Sequence, residues 1–129
     1  MKAKAKLLNI LSINLLINKS IWGEKEIFTK MLYSSNTDIV LCTETHLDPS
    51  IKDCEFLPKG YESFRRDCSD GWGGVIIIYK NTLICDEVYK SKKTELIAVK
   101  VETYQKPVVL YAAYSPPRSD LYYYIIFSI

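Results

Sequence analysis

Two apolar runs separated by an amphipathic stretch constrain this chain more than any other feature. Residues 6–16, KLLNILSINLL, are rich in Leu and Ile and partly alternate with polar residues, the pattern of a strand. Over residues 24–33, Ile27, Phe28, Met31 and Leu32 recur at helical spacing with Lys25 and Lys30 between them, which predicts a helix with one apolar face. SSNT ends that helix, and Asp38 opens a second strand, DIVLCTE. Strand, helix and strand in this order predict a parallel pair with a right-handed crossover, so both strands end on one edge of one sheet. Whatever the two strand ends carry becomes neighbours in space.

The texture then changes. YESFRRD, GGVIIIYK, TLICDEVY, TELIAVKVETY and KPVVLYAAY are five short β-like runs separated by SDGWGG, KN, KSKK and QK, which predicts a mostly antiparallel meander. Gly73 and Gly74 fit a tight turn or bulge leading into a strand. SPPRSD breaks the sheet, with Ser119 or Asp120 placed to cap a helix, and the uncharged LYYYIIFSI follows. The expected fold class is α/β: a mixed sheet with a covering helix, in one domain spanning residues 1–129.

Composition excludes some functions. A formal net charge of +2 is too small to indicate a polyanion partner, so charge leaves the partner open. Cys42, Cys54, Cys68 and Cys85 form no C-x-x-C pair and the chain has one histidine, which argues against zinc and for reduced, structural thiols. Lys2, Lys4 and Lys6 before an apolar run imitate a secretory signal, but Asn9, Ser12 and Asn14 interrupt the run and no small-x-small cleavage site follows. An intracellular chain, nuclear or cytoplasmic, is expected. With no apolar run of the roughly 20 residues a membrane span needs, no membrane partner is expected.

The two parallel strand ends carry Asn14 and Glu44. An amide oxygen beside a carboxylate is a pair of hard ligands suited to Mg²⁺, which takes one or two carboxylates and leaves its remaining positions to water and substrate phosphate. Each residue has a plainer reading as well. Asn14 is equally a strand-end amide satisfying a turn, and Glu44 a solvated strand-end acid. His46 has no partner histidine or nucleophile and reads as a surface or supporting residue. Arg65 with Asp67 reads as a local ion pair or loop staple.

Five segments, LNILSIN, DIVLCTETHLD, GYESFRRD, GGVIIIYK and YAAYSPP, resemble in order and spacing the amino-terminal half of the endonuclease/exonuclease/phosphatase superfamily. The likeness is strongest to the apurinic/apyrimidinic-like endonuclease domain of LINE-type (non-LTR) retrotransposons, and it runs from about residue 6 to residue 120. It implies about half of a four-layer α/β/β/α sandwich, with the carboxy-terminal half absent. It implies DNA as partner and Mg²⁺ or Mn²⁺ as cofactor, held by Glu44 and Asn14. Asn14 and Tyr114 would be the catalytic residues, Asn14 positioning phosphate and metal and Tyr114 contacting the scissile phosphate. Tyr114 is one of ten tyrosines, and its plainer reading is core or rim. The RRDC stretch is similar to an Arg-x-Asp-Arg pattern of these domains, with Cys68 where arginine is usual.

The family's later Gly-Asp-x-Asn and Ser-Asp-His motifs do not occur in this sequence. Residues that act as a unit leave no proportionate activity when some are missing. The resemblance therefore implies a fragment of a DNA-nicking phosphodiesterase that is inactive alone. It also implies an inner sheet face with no partner, exposed to self-association. A non-enzymatic α/β interaction module and a phosphatase fragment of the same superfamily are the alternatives.

Overall fold

The computed structural model describes residues 2–14, 25–43, 45–67, 73–114 and 123–128, the side chains at 12–14, 25, 27, 114 and 123–128 excepted. The first strand is β1 (Ile10–Asn14), which starts later than residue 6 because the chain before it does other work. Ala3 and Ala5 make isolated parallel bridges to Leu83 and Thr103, and Ala5 is buried while Leu7 faces solvent. The helix is α1 (Lys25–Ser35). It stops where predicted: the Ser35 hydroxyl bonds back to the Met31 carbonyl at 2.7 Å, and Asn36 takes the left-handed conformation, φ 50°, that ends many helices. β2 (Ile39–Thr43) follows and lies parallel to β1, so the crossover is present.

All five later runs are strands: β3 (Tyr61–Arg66), β4 (Val75–Lys80), β5 (Cys85–Lys90), β6 (Glu95–Val101) and β7 (Val108–Tyr114). They do not form one meander. The first sheet runs β1-β2-β4-β3, with β4 inserted antiparallel between β2 and β3. Residues 81–84 then carry the chain across to a second, antiparallel sheet, ordered β5-β6-β7-β8. Its last strand, β8 (Tyr123–Ser128), corrects the expected helix start. An uncharged run rich in Tyr and Ile suits an extended conformation, and β7 offers it a free edge. Ser119 and Asp120 lie outside the described residues.

The layers explain the alternation. One face of the first sheet, Val40, Cys42, Ile76 and Ile78, meets Phe28 and Leu32 of α1. The other face, Ile39, Leu41, Val75 and Ile77, meets Ile97, Val99, Leu110 and Ala112 of the second sheet. β2 and β4 are therefore buried on both sides and read as continuous apolar runs. Each such Val or Ile contributes roughly 1.5–3 kcal/mol on leaving water. The expectation of an uncovered inner face is overturned, since β6 and β7 of this same chain cover it. Self-association through that face loses its basis.

Edge strand β5 carries a bulge between Glu87 and Tyr89, the kind of irregularity that blunts an edge against further pairing. Among the described residues no helix is long and apolar enough to cross a membrane.

Candidate active-site rim

The parallel register ends with Asn14 opposite Thr43. Thr43 is also paired across to Val75 at the start of β4, and Val75 to Arg66 at the end of β3. Three strands of the first sheet therefore finish, and one begins, at a single rim. Thr43 is buried there at 3 % exposure, and its Oγ1 has no hydrogen-bond partner among the described residues. A buried hydroxyl left without a partner costs about 1–3 kcal/mol, so Thr43 Oγ1 is a group for which a partner matters. Glu44 itself lies outside the described residues.

The chain on the far side of Glu44 is held against the β4 entrance. The Thr45 N–H donates to the Gly74 carbonyl at 3.3 Å and the His46 N–H to the Gly73 carbonyl at 2.8 Å. Thr45 is fully buried, and its Oγ1 accepts the Leu47 N–H at 3.4 Å. Gly73 and Gly74 have φ of 75° and 93°, where an L side chain is strained, and a Cβ on Gly74 would stand 2.6 Å from Thr45 Oγ1. The predicted glycine turn is real, and its purpose is close approach of two backbones.

The second sheet joins the same rim. Glu95 opens β6, and its Oε1 accepts the Gly74 N–H. The register partner of Glu95 is Tyr114, the last residue of β7. The backbone positions of Asn14 and Tyr114, residues from different sheets, therefore stand at one end of the molecule with the Thr43 strand end. Glu95 was not singled out by sequence reasoning. It follows a lysine-rich turn and begins an ordinary apolar strand, so no local signal distinguishes it.

Arg65 is a staple. Its Nε and Nη2 grip Asp67 at 3.2 and 2.5 Å, Nη1 reaches Asp53 at 2.8 Å and the Ile51 carbonyl at 2.7 Å, and Nη2 also reaches the Asp48 carbonyl at 3.2 Å. Every donor of the planar guanidinium is used within the chain, leaving none for a ligand. The role is to fix the loop of residues 48–53 that continues from the rim. Asp48 closes that loop's first turn onto Ser50, whose hydroxyl and N–H hold its carboxyl below the usual carboxylate range. His46 is half-buried with φ 55°. Cys42 and Cys54 are free thiols, as is Cys85, and burial pushes Cys42 up to about 12. Cys68 lies outside the described residues. Among the described residues no three His, Cys, Asp or Glu side chains gather in metal-ligating range. An open groove lined by Glu26, Thr29, Lys30, Cys54 and Phe56 belongs to the helix layer, not to the rim.

No family model matches the chain, and no curated protein matches it. Among solved structures it is similar to the endonuclease domain of TRAS1, a telomere-specific non-LTR retrotransposon, with a TM-score of 0.61 and 18 % identity. The two share a fold. The similarity covers 88 % of this chain and 47 % of the other, so the chain spans about half the length of the structure it matches.

Proposed function

We propose that this chain carries the cation-binding and phosphate-binding side of a divalent-metal-dependent phosphodiesterase site, with DNA as the substrate class. The observation that carries the reading is the register: Asn14 closes β1 beside Thr43, one residue before Glu44, and the Glu95–Tyr114 pair ends at the same rim. The donors on offer are an amide, a carboxylate and the Thr43 hydroxyl, which has no hydrogen-bond partner among the described residues. All are hard oxygens, the set Mg²⁺ and Mn²⁺ prefer over the sulfur and imidazole that zinc takes.

In this reading Glu44 and Asn14 hold the ion. When bound, Mg²⁺ or Mn²⁺ polarises a phosphoryl oxygen and offsets the charge that builds during displacement. The Asn14 amide orients the phosphate by donating to one oxygen, and the Tyr114 hydroxyl donates to another. Neither Gly-Asp-x-Asn nor Ser-Asp-His occurs in the sequence, so the groups that would activate water in that family are not offered by those motifs here. The chain by itself is assigned binding without turnover.

Mn²⁺ titration of the purified chain by calorimetry tests this. Wild type is expected to bind, Glu44→Gln to lose binding while keeping its circular-dichroism spectrum, and neither to nick supercoiled plasmid above background. Equal Mn²⁺ affinity in wild type and Glu44→Gln would refute the assignment.

A further inference from the structure

Glu95 stands outside the proposed donor set, yet it is tied to that set from two directions. Its Oε1 accepts the Gly74 N–H, and the Gly73 and Gly74 carbonyls in turn accept the His46 and Thr45 N–H groups. Those two residues follow Glu44 in the chain, while Thr43 before it is fixed by pairing with Asn14 and Val75. A Cβ on Gly73 would stand 2.5 Å from Glu95 Oε1, so only glycine lets the carboxylate close on the backbone. Along its own sheet, Glu95 is the register partner of Tyr114. One side chain therefore connects the strand end that bears Tyr114 to the backbone that flanks Glu44.

A hydrogen bond from a peptide N–H to an ionised carboxylate is roughly twice as strong as a neutral one. It is directional, and here it crosses between the two sheets. We infer that Glu95 is a positioning residue for the rim: acting through Gly73 and Gly74, it sets the backbone frame from which residue 44 is presented, in register with the strand end of Tyr114. Its oxygen is engaged by Gly74 and is not assigned to the ion. The inference rests on the function proposed above.

Two variants separate reach from charge. Glu95→Asp keeps the charge but withdraws it by one methylene, while Glu95→Gln keeps the reach with a neutral acceptor. Two measurements are made on the purified chain: amide hydrogen exchange at Thr45 and His46 by NMR, and Mn²⁺ affinity by calorimetry. Glu95→Asp is expected to speed exchange at both amides by about tenfold or more, equivalent to about 1.4 kcal/mol, and to weaken Mn²⁺ binding in parallel. Amides of Ile77 and Val99 in the sheet centres stay as in wild type. Glu95→Gln is expected to remain within about threefold of wild type on both readouts, the spread between a charged and a neutral acceptor.

Unchanged exchange in Glu95→Asp overturns the inference, as does faster exchange with Mn²⁺ affinity intact in a wild type that binds. A Glu95→Gln defect as large as that of Glu95→Asp overturns it too, because an acceptor of the right reach would then not be enough to hold the frame. If wild type binds no Mn²⁺, the proposed function fails separately, and the exchange at Thr45 and His46 decides what Glu95 does to the backbone.

Discussion

Replacing Arg65 with methionine removes a guanidinium whose donors all end within this chain. Its side chain is 14 % exposed and that of Asp67 is 11 % exposed, so the carboxylate left behind cannot simply return to water. Breaking a buried pair by deleting one partner costs about 3–5 kcal/mol, because the surviving charge is stranded. Asp53, 40 % exposed, recovers solvent and adds little. The carbonyls of Ile51 and Asp48 lose a donor each, which frees the loop rather than unfolding the sheets. Against a total stability of about 5–15 kcal/mol for a domain of this kind, a loss of that size moves the urea midpoint strongly. Urea unfolding followed by circular dichroism at pH 7 measures it. Arg65→Met combined with Asp67→Asn should recover about half of the loss by removing the stranded charge. Arg65→Lys should still lose roughly 1.5–3 kcal/mol, since one ammonium cannot reproduce a five-donor fork. An Arg65→Met chain within about 1 kcal/mol of wild type, the value of an exposed ion pair, would show that the contacts are surface decoration and not a staple.

Gly74→Ala and Gly60→Ala share a φ of 93°, but only Gly74 meets a neighbour, Thr45 Oγ1 at 2.6 Å. Gly60→Ala should cost about 1 kcal/mol from backbone strain and Gly74→Ala at least about 2 kcal/mol, and equal midpoints would deny the close approach. At pH 8 a thiol reagent should modify exposed Cys54 well before Cys42 or Cys85, both of which burial pushes up to about 12. Peptide mapping that found Cys42 modified as fast as Cys54 in the folded chain would contradict the burial of β2. Asp48 is held below its ordinary range by Ser50, so its contribution is present above the unfolded carboxylate pKa and disappears as pH falls through the folded value. The melting-temperature gap between wild type and Asp48→Asn should therefore close on acidification, and a gap that does not change with pH would refute the turn.

What could be read from the residues follows from which forces are local. The helix over 24–33 and its SSNT stop depend on spacing and end chemistry within one segment, and α1 appears with a shift of a residue or two. The parallel pair also follows from segment order, and with it the shared end of Asn14 and Thr43. Allocation of strands to sheets is not local. VIIIYK and ELIAVKV look equally apolar, yet the first is central in one sheet and the second in the other, because residues 81–84 carry the chain across. Nothing in NTLI announces a change of layer, so the runs read as one meander, and the bare inner face that the family resemblance implied met no local signal against it. The same non-locality hid Glu95, whose meaning lies in an N–H twenty-one residues earlier in the chain.

The assembled rim bears on where binding and turnover divide. Asn14 against Thr43, Thr43 against Val75, Gly74 to Glu95 and Glu95 against Tyr114 are all contacts made within these 129 residues. The inner faces of both sheets are packed against each other, so the frame does not wait on a covering partner. On the proposed function, binding of a cation should then survive in the chain alone. Turnover asks for more: a water oriented in line and a base to take its proton, and such groups lose activity together when one is missing. An activity supplied in trans by another polypeptide would therefore appear as a gain in rate with little change in Mn²⁺ affinity. If such a partner raised cation affinity and rate together, the rim would have to be incomplete by itself, and the reading of Thr43, Gly74 and Glu95 as a finished frame would be wrong.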